Sequence, residues 1–167
     1  MVIFTSSCEK ETVKKIREDE NKNIEAFIAS TKLKYEQLTG DLYKLTISEV
    51  PEETNSVQNN DSVYINYIMS EFSTTGRGGI IDTNIKEVAI DAGITIFEEK
   101  FAPLGIKYGK TNLIEGVDIA LKNSMNKGMY SIIIPFDFGY GTRYNGLVEP
   151  YTTLYFEYEV INIIKKQ

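Results

Sequence analysis

Two stretches of this chain alternate in a way that only an extended strand can use. Residues 62–72, SVYINYIMSEF, put Val63, Ile65 and Tyr67 on one side and Tyr64, Asn66 and Ile68 on the other. Residues 152–164, TTLYFEYEVINII, repeat the alternation over a greater length. A period of two turns successive side chains to opposite faces, and β-branched and aromatic residues pack well on a pleated surface. Each stretch is therefore a strand, the first a central one. Any fold for this chain must be built around a sheet.

The other segments supply the rest of that sheet and its helices. KLKYEQLTGDLYKLTISEV reads as two strand pieces about Gly40-Asp41, LGIKYGK as a short strand and MYSIIIP as a buried one. PEETNSVQNND is a polar loop, and TTGRGG reads as a flexible turn leading into IIDTN. In NIKEVAIDAG the residues Ile85, Val88, Ala89 and Ala92 are helix-spaced, Asn84 and Glu87 suggest a capping box, and Gly93 is the stop. LIEGVDIALKNSMNKG predicts a short amphipathic helix with Leu113, Val117, Ala120 and Leu121 inward. No repeat is present. The expected class is α+β, an antiparallel sheet with helices on one face.

Composition narrows the chemistry. At 167 residues the chain can bury a core without a metal or disulfide staple. The chain has no His, which removes Ser-His and Cys-His nucleophilic sites and histidine-ligated metals. A single Cys makes no intramolecular disulfide and no Cys-rich zinc site. The net charge of −6, with no basic cluster longer than a Lys pair, argues against nucleic acid. Chemistry here falls to carboxylates, tyrosine hydroxyls, backbone groups and shape, and no cofactor is expected.

The one Cys, at position 8, follows MVIFTSS and precedes a charged stretch. An apolar stub, small residues and then Cys is how a bacterial lipoprotein signal ends, with Cys8 as the lipidated residue and residues 1–8 as its remnant. Only Val2, Ile3 and Phe4 stand where a signal has roughly 7–15 apolar residues. Either more sequence lies upstream or Cys8 is an ordinary cysteine. Residues 9–32 form a charged helical arm whose apolar stripe, Val13 and Ile16 and then Ile24, Phe27 and Ile28, is broken by REDENKN. It reads as a solvated stalk docking only at its later end, with a dimerisation helix as the alternative. Residues 33–167 are the globular domain.

Two sites stand out as candidates for chemistry. Asp82, in GGIIDTN, places a carboxylate after two branched apolar residues, although Asp before Thr-Asn is commonly a turn residue. No second carboxylate is spaced to work with it as a glycosidase pair. GRGG lacks the strand, loop and Lys of a phosphate loop. PFDFGYGTRYNG, residues 135–146, crowds aromatics and glycines behind a strand, and Tyr140 stands between two glycines there. Phe136, Phe138 and Tyr144 read as loop packing.

Taken in order, GDLYKLTISEV, NDSVYINY, IIDTN, APLGIKYGK, LIEGVDIAL, NKGMYSIIIP, GYG and PYTTLYFEYEVINI resemble an FKBP-type peptidyl-prolyl isomerase over roughly 40–167. The helix near 84–92 and the lipoprotein-like start are similar to FKBP-like lipoproteins of Bacteroidetes-type bacteria. The resemblance implies an antiparallel half-wrapped sheet around a short helix, with a proline pocket between them. By position it assigns Asp82 and Tyr140 to catalysis. To substrate binding it assigns Tyr67, Ile81, Leu104, Leu113, Ile114, Val117, Val148 and Phe156. Substrates would be proline-containing polypeptides of exported proteins, and the location the bacterial cell envelope, with the membrane reached only through Cys8.

Such a site suits the task. Rotation about a peptide bond breaks amide resonance, a barrier of about 18–20 kcal/mol, and X–Pro bonds are those with both isomers populated. No proton is abstracted and no covalent intermediate forms. The pattern departs from the family at three places: Val117 where the family has a floor Trp, Ile81 for Phe, and Leu104 for a wall aromatic. Less aromatic surface means a wider, less shape-specific pocket. Two alternatives follow: a catalytically silent FKBP-fold lipoprotein that binds a partner at the cleft or through residues 85–102, and a structural envelope protein.

Overall fold

The computed structural model of the chain describes residues 5–95, 98–110 and 112–166, with side chains described from Lys10 onward apart from Glu99. Its elements run α1 (Thr5–Ser30), β1 (Lys34–Thr39), β2 (Leu42–Ser48), β3 (Ser62–Ser73), β4 (Gly76–Thr83), α2 (Lys86–Asp91), β5 (Leu104–Lys107), α3 (Glu115–Leu121), β6 (Met129–Ile134) and β7 (Leu154–Ile164). All seven strands join one antiparallel sheet in the order β1-β2-β6-β7-β3-β4, and β5 pairs with β3 on the same side as β4. The two alternating stretches, β3 and β7, lie side by side from Ser62↔Ile164 to Glu71↔Leu154. They are the spine of the sheet.

Alternation decides which side chains meet. Val63, Ile65, Tyr67 and Met69 of β3 join Ile132 and Ile134 of β6 and Phe156, Tyr158 and Val160 of β7 in one buried cluster. Val117, Ala120 and Leu121 of α3 close that cluster. The helix sits very close to the sheet because position 116 is glycine. A Cβ there would lie 2.5 Å from a methyl of Ile134. Leu113 and Ile114 precede α3, Ile114 with extended backbone, and both pack against the cluster from there.

The opposite face of the sheet carries α1. Ile24 and Phe27 pack on Tyr43, Leu45, Ile133 and Tyr155, with ring edges of Phe27 meeting Phe72 and Tyr155. The sequence predicts helices on one face, and the structure places them on both. Docking also begins a turn earlier than the apolar stripe predicts, because Glu20 is 8% exposed. A carboxylate buried by hydrogen bonds leaves no trace in a hydrophobic pattern. The Cys8 side chain and residues 1–4 lie outside the described residues. Among the described residues no helix is long and apolar enough to cross a membrane.

Two local expectations change. GRGG is the start of β4 and not a turn: Gly78 approaches the Glu71 carbonyl so closely that a Cβ would sit 2.8 Å from it. Asn84 does not cap α2. That helix begins after Ile85 with no side-chain cap, while Gly93, at φ +68°, ends it as its sequence suggests.

Candidate active site

β4 and β5 share one edge of β3 but leave a gap between them, and Asn84 fills it. The Tyr67 N–H donates to the Asn84 side-chain oxygen at 2.8 Å, and the amide nitrogen donates to the carbonyls of Ile65 at 3.0 Å and Ala102 at 2.9 Å. The Thr83 hydroxyl donates to the Tyr67 carbonyl at 2.6 Å. One buried side chain thus continues the strand ladder and holds both ends of the 85–102 segment. Lys86 pairs with Glu98 at 2.7 Å across that segment. The result is a fixed orientation for Tyr67.

With Tyr67 held, its hydroxyl donates to Asp82 Oδ2 at 2.8 Å. The other Asp82 oxygen accepts from the Thr83 N–H at 2.9 Å and from the Lys100 ammonium at 2.5 Å. Burial, the hydrogen bond to Asp82 and its charge push the Tyr67 phenol well above its usual range. Tyr67 therefore remains a proton donor throughout physiological pH. Its ring stacks on Phe156, with centroids 5.4 Å apart and planes 11° from parallel.

Tyr140 arrives from the loop after β6. Pro135 ends the strand, residues 136–138 make one tight turn, and Gly141 at φ +74° lets the chain reverse. The Gly141 N–H donates to the Phe136 carbonyl, and the Tyr151 N–H to the Gly141 carbonyl, both at 2.9 Å. Phe136 is fully buried under this loop, while Tyr144, expected to pack, is 61% exposed. The Tyr140 hydroxyl points to Met69 Sδ at 4.0 Å, a soft and weak acceptor. Burial and then the Asp82 charge raise its pKa. A stronger acceptor entering the cavity would take this donor.

Between these groups lies a cavity of about 190 Å³. It is lined by Asp82, Tyr140, Tyr67, Leu104, Leu113, Ile114, Val117 and Phe156, eight of the ten residues expected from the sequence. Met69 and Asn112, which sequence reasoning missed, complete the wall. Ile81 and Val148 do not line it. Ile81 is the extra residue at a register shift in β4, between the pairs Met69↔Asp82 and Ser70↔Ile80, and it packs against the core cluster without reaching the cavity. Val148 is drawn into the core at 2% exposure, its N–H held by the Asn145 side chain at 2.8 Å. The volume is below the roughly 300–1,000 Å³ of a pocket for a drug-sized ligand. It is room for a single side chain rather than for a drug-sized molecule.

The arrangement offers desolvation by apolar walls and hydrogen-bond donors from two tyrosines. Val117, only 1% exposed, forms the floor, and the stacked Tyr67–Phe156 pair supplies the aromatic surface. Lys100 also escaped the sequence reading. Its 18-residue separation from Asp82 spans α2, and no local spacing reveals a pair made across an inserted helix.

An antiparallel sheet wrapped on a short helix, with an aromatic, Asp-rimmed cavity between them, defines the class. Solved structures with this fold include the peptidyl-prolyl cis-trans isomerase of Pseudomonas syringae pv. tomato. That likeness covers 89% of this chain and 96% of that one, at TM-score 0.60 and 22% identity. FkpA from Escherichia coli matches 95% of this chain and 65% of that one, at TM-score 0.62 and 21% identity. A family model of the FKBP-type peptidyl-prolyl cis-trans isomerases matches residues 53–161. The chain belongs to that family. A short-type peptidyl-prolyl cis-trans isomerase of Methanocaldococcus jannaschii is 32% identical over 95 residues. The match spans 57% of this chain and 57% of that relative's length.

Proposed function

We propose that this protein catalyses cis–trans isomerisation of X–Pro bonds in polypeptides, with the proline ring seated in the 190 Å³ cavity. The observation that carries the reading is the pairing of an apolar cavity with two tyrosine hydroxyls at its wall, one tied to Asp82 and one, Tyr140, facing only the Met69 sulfur among the described residues. The cavity strips water from the amide, and loss of that solvation weakens the resonance that keeps it planar. Tyr140 then donates to the carbonyl as it rotates out of conjugation. Asp82 acts through Tyr67, fixing the phenol and the wall it forms. The small Val117 floor leaves room for substrates that are bulkier beside the proline.

A protease-free isomerisation assay on a short X–Pro peptide tests this. The expected result is a rate above the uncatalysed one that drops on Tyr140→Phe and on Asp82→Ala. A protein that binds the peptide without accelerating it is the silent partner-binding module instead.

The same proposal extends to location. Cys8, with Ser6-Ser7 before it, would carry the lipid, and exported proteins in the bacterial envelope would be the substrates. Cys8 stands twelve positions before the buried Glu20 on α1, a reach of about 18 Å at 1.5 Å per residue. Labelled palmitate incorporated when the protein is expressed in a bacterial host with its native upstream sequence, and lost in Cys8→Ser, supports the anchor. An unlabelled parent refutes it.

A further inference from the structure

Two concavities of this molecule share a wall. Leu104, Asn112 and Leu113, which bound the proline-sized cavity, also bound a second, open cleft of about 210 Å³ along β5. Lys107 and Lys110 line that cleft, and no carboxylate lines it among the described residues. Their placement is built by a turn: the Lys110 N–H donates to the Lys107 carbonyl at 3.0 Å, and Gly109 takes φ +81° between them. Neither lysine makes an ion pair among the described residues. On a chain of net charge −6, two cations beside the site are a local exception.

We propose that Lys107 and Lys110 form a subsite for an acidic side chain of the substrate, so that the preferred polypeptides carry Asp or Glu about three residues from the proline. This rests on the isomerase reading of the adjoining cavity. Lys107 lies three residues along β5 from Leu104, the wall shared by the two concavities; alternation turns it to the other face of the strand, and it bounds the cleft from that side. An extended peptide advances about 3.3 Å per residue, so one leaving the cavity along β5 reaches Lys107 after about three residues. A carboxylate at that point meets two ammonium groups. A lysine there meets repulsion, which gives selectivity as well as attraction.

The test uses fluorescein-labelled peptides with one central X–Pro bond and Glu, Gln or Lys placed three residues before or three residues after the proline. Binding is read by anisotropy at low and high ionic strength, and turnover is measured on the Gln peptide. One Glu series is expected to bind roughly three- to five-fold tighter than its Gln counterpart at low ionic strength, the scale of exposed charge pairs, and to lose that margin in high salt. Its direction identifies which side of the proline follows β5. In the K107Q/K110Q variant the Glu-to-Gln ratio falls to about one. Glu peptides that bind no better than Gln, or a preference that survives K107Q/K110Q, overturn the subsite. Turnover without acidic preference refutes the subsite alone. Acidic preference without turnover refutes the isomerase reading and keeps the subsite, and failure of every peptide to bind overturns both.

Discussion

Glu20 of α1 accepts two hydrogen bonds through one oxygen, from the Phe136 N–H at 2.9 Å and from the Thr153 hydroxyl at 2.5 Å. These two donors stand at the start and the end of the loop that carries Tyr140. Arg17, one turn earlier, pairs with Asp137 and lies over the Phe136 ring at 5.2 Å. Helix α1 thus closes the base of the loop that carries Tyr140.

Because both bonds use Oε1, Glu20→Gln keeps an acceptor in place while Glu20→Ala removes it. Glu20→Ala is expected to cost about 1–3 kcal/mol, the penalty for leaving buried donors unsatisfied. Chemical denaturation measures this. Hydrogen exchange should quicken at the amides of Phe136 and Gly141 in Glu20→Ala and much less in Glu20→Gln.

Burial holds the Glu20 carboxyl above its ordinary value of 4.5, against the two hydrogen bonds that lower it. A folded-state pKa above the unfolded one means the native state binds the extra proton. The stabilising contribution is complete below the unfolded value and is lost as pH rises through the folded one. The parent should therefore lose stability relative to Glu20→Gln as pH climbs from 4.5, in paired denaturation curves.

Lys44 gives the opposite slope in alkali. Its ammonium is buried, donates to Ser124 Oγ at 2.8 Å and lies 4.3 Å from the centre of the Tyr130 ring. Burial lowers its pKa to about 8 from 10.5. Between those values the unfolded chain holds the proton and the folded one does not, so stability rises with pH. The slope is at most about 1.4 kcal/mol per pH unit. Lys44→Met should abolish it, measured by urea unfolding at steps across that range relative to the parent.

Asn84→Ala removes one acceptor and two donors from the gap between β4 and β5. The expected loss is about 2–3 kcal/mol. Exchange at the Tyr67 amide should quicken, and the Tyr67–Asp82 contact should loosen with it. An unchanged Tyr67 amide would show that the strand ladder needs no such substitute.

The sheet was legible because its evidence is periodic. β3 and β7 announce themselves by alternation, and Gly40, at φ +49°, sits at the turn between β1 and β2 where the sequence places it. Tyr67, Asp82, Tyr140 and Phe156 were legible by order along the chain, and they meet in one cavity. What escaped was every feature made by polar burial across distance. Glu20 lies in a run with no apolar residue, Asn84 mimics a helix cap, and Lys100 reaches Asp82 over an inserted helix. The composition of GRGG predicts a turn, whereas pairing with β3 makes it a strand, with Gly78 close against Glu71. Period reports which face is apolar; it carries no information about where a hydrogen bond ends.

Exchange spectroscopy by NMR on an X–Pro peptide reads the isomerisation itself. Without a catalyst the isomers interconvert over tens of seconds, too slowly for exchange peaks. Cis–trans exchange peaks are expected when the protein is added, with the exchange rate roughly five- to ten-fold lower in Tyr140→Phe, the worth of one hydrogen bond. Peptide that binds the protein yet shows no exchange peaks, or an exchange rate that Tyr140→Phe leaves untouched, would contradict the isomerase reading.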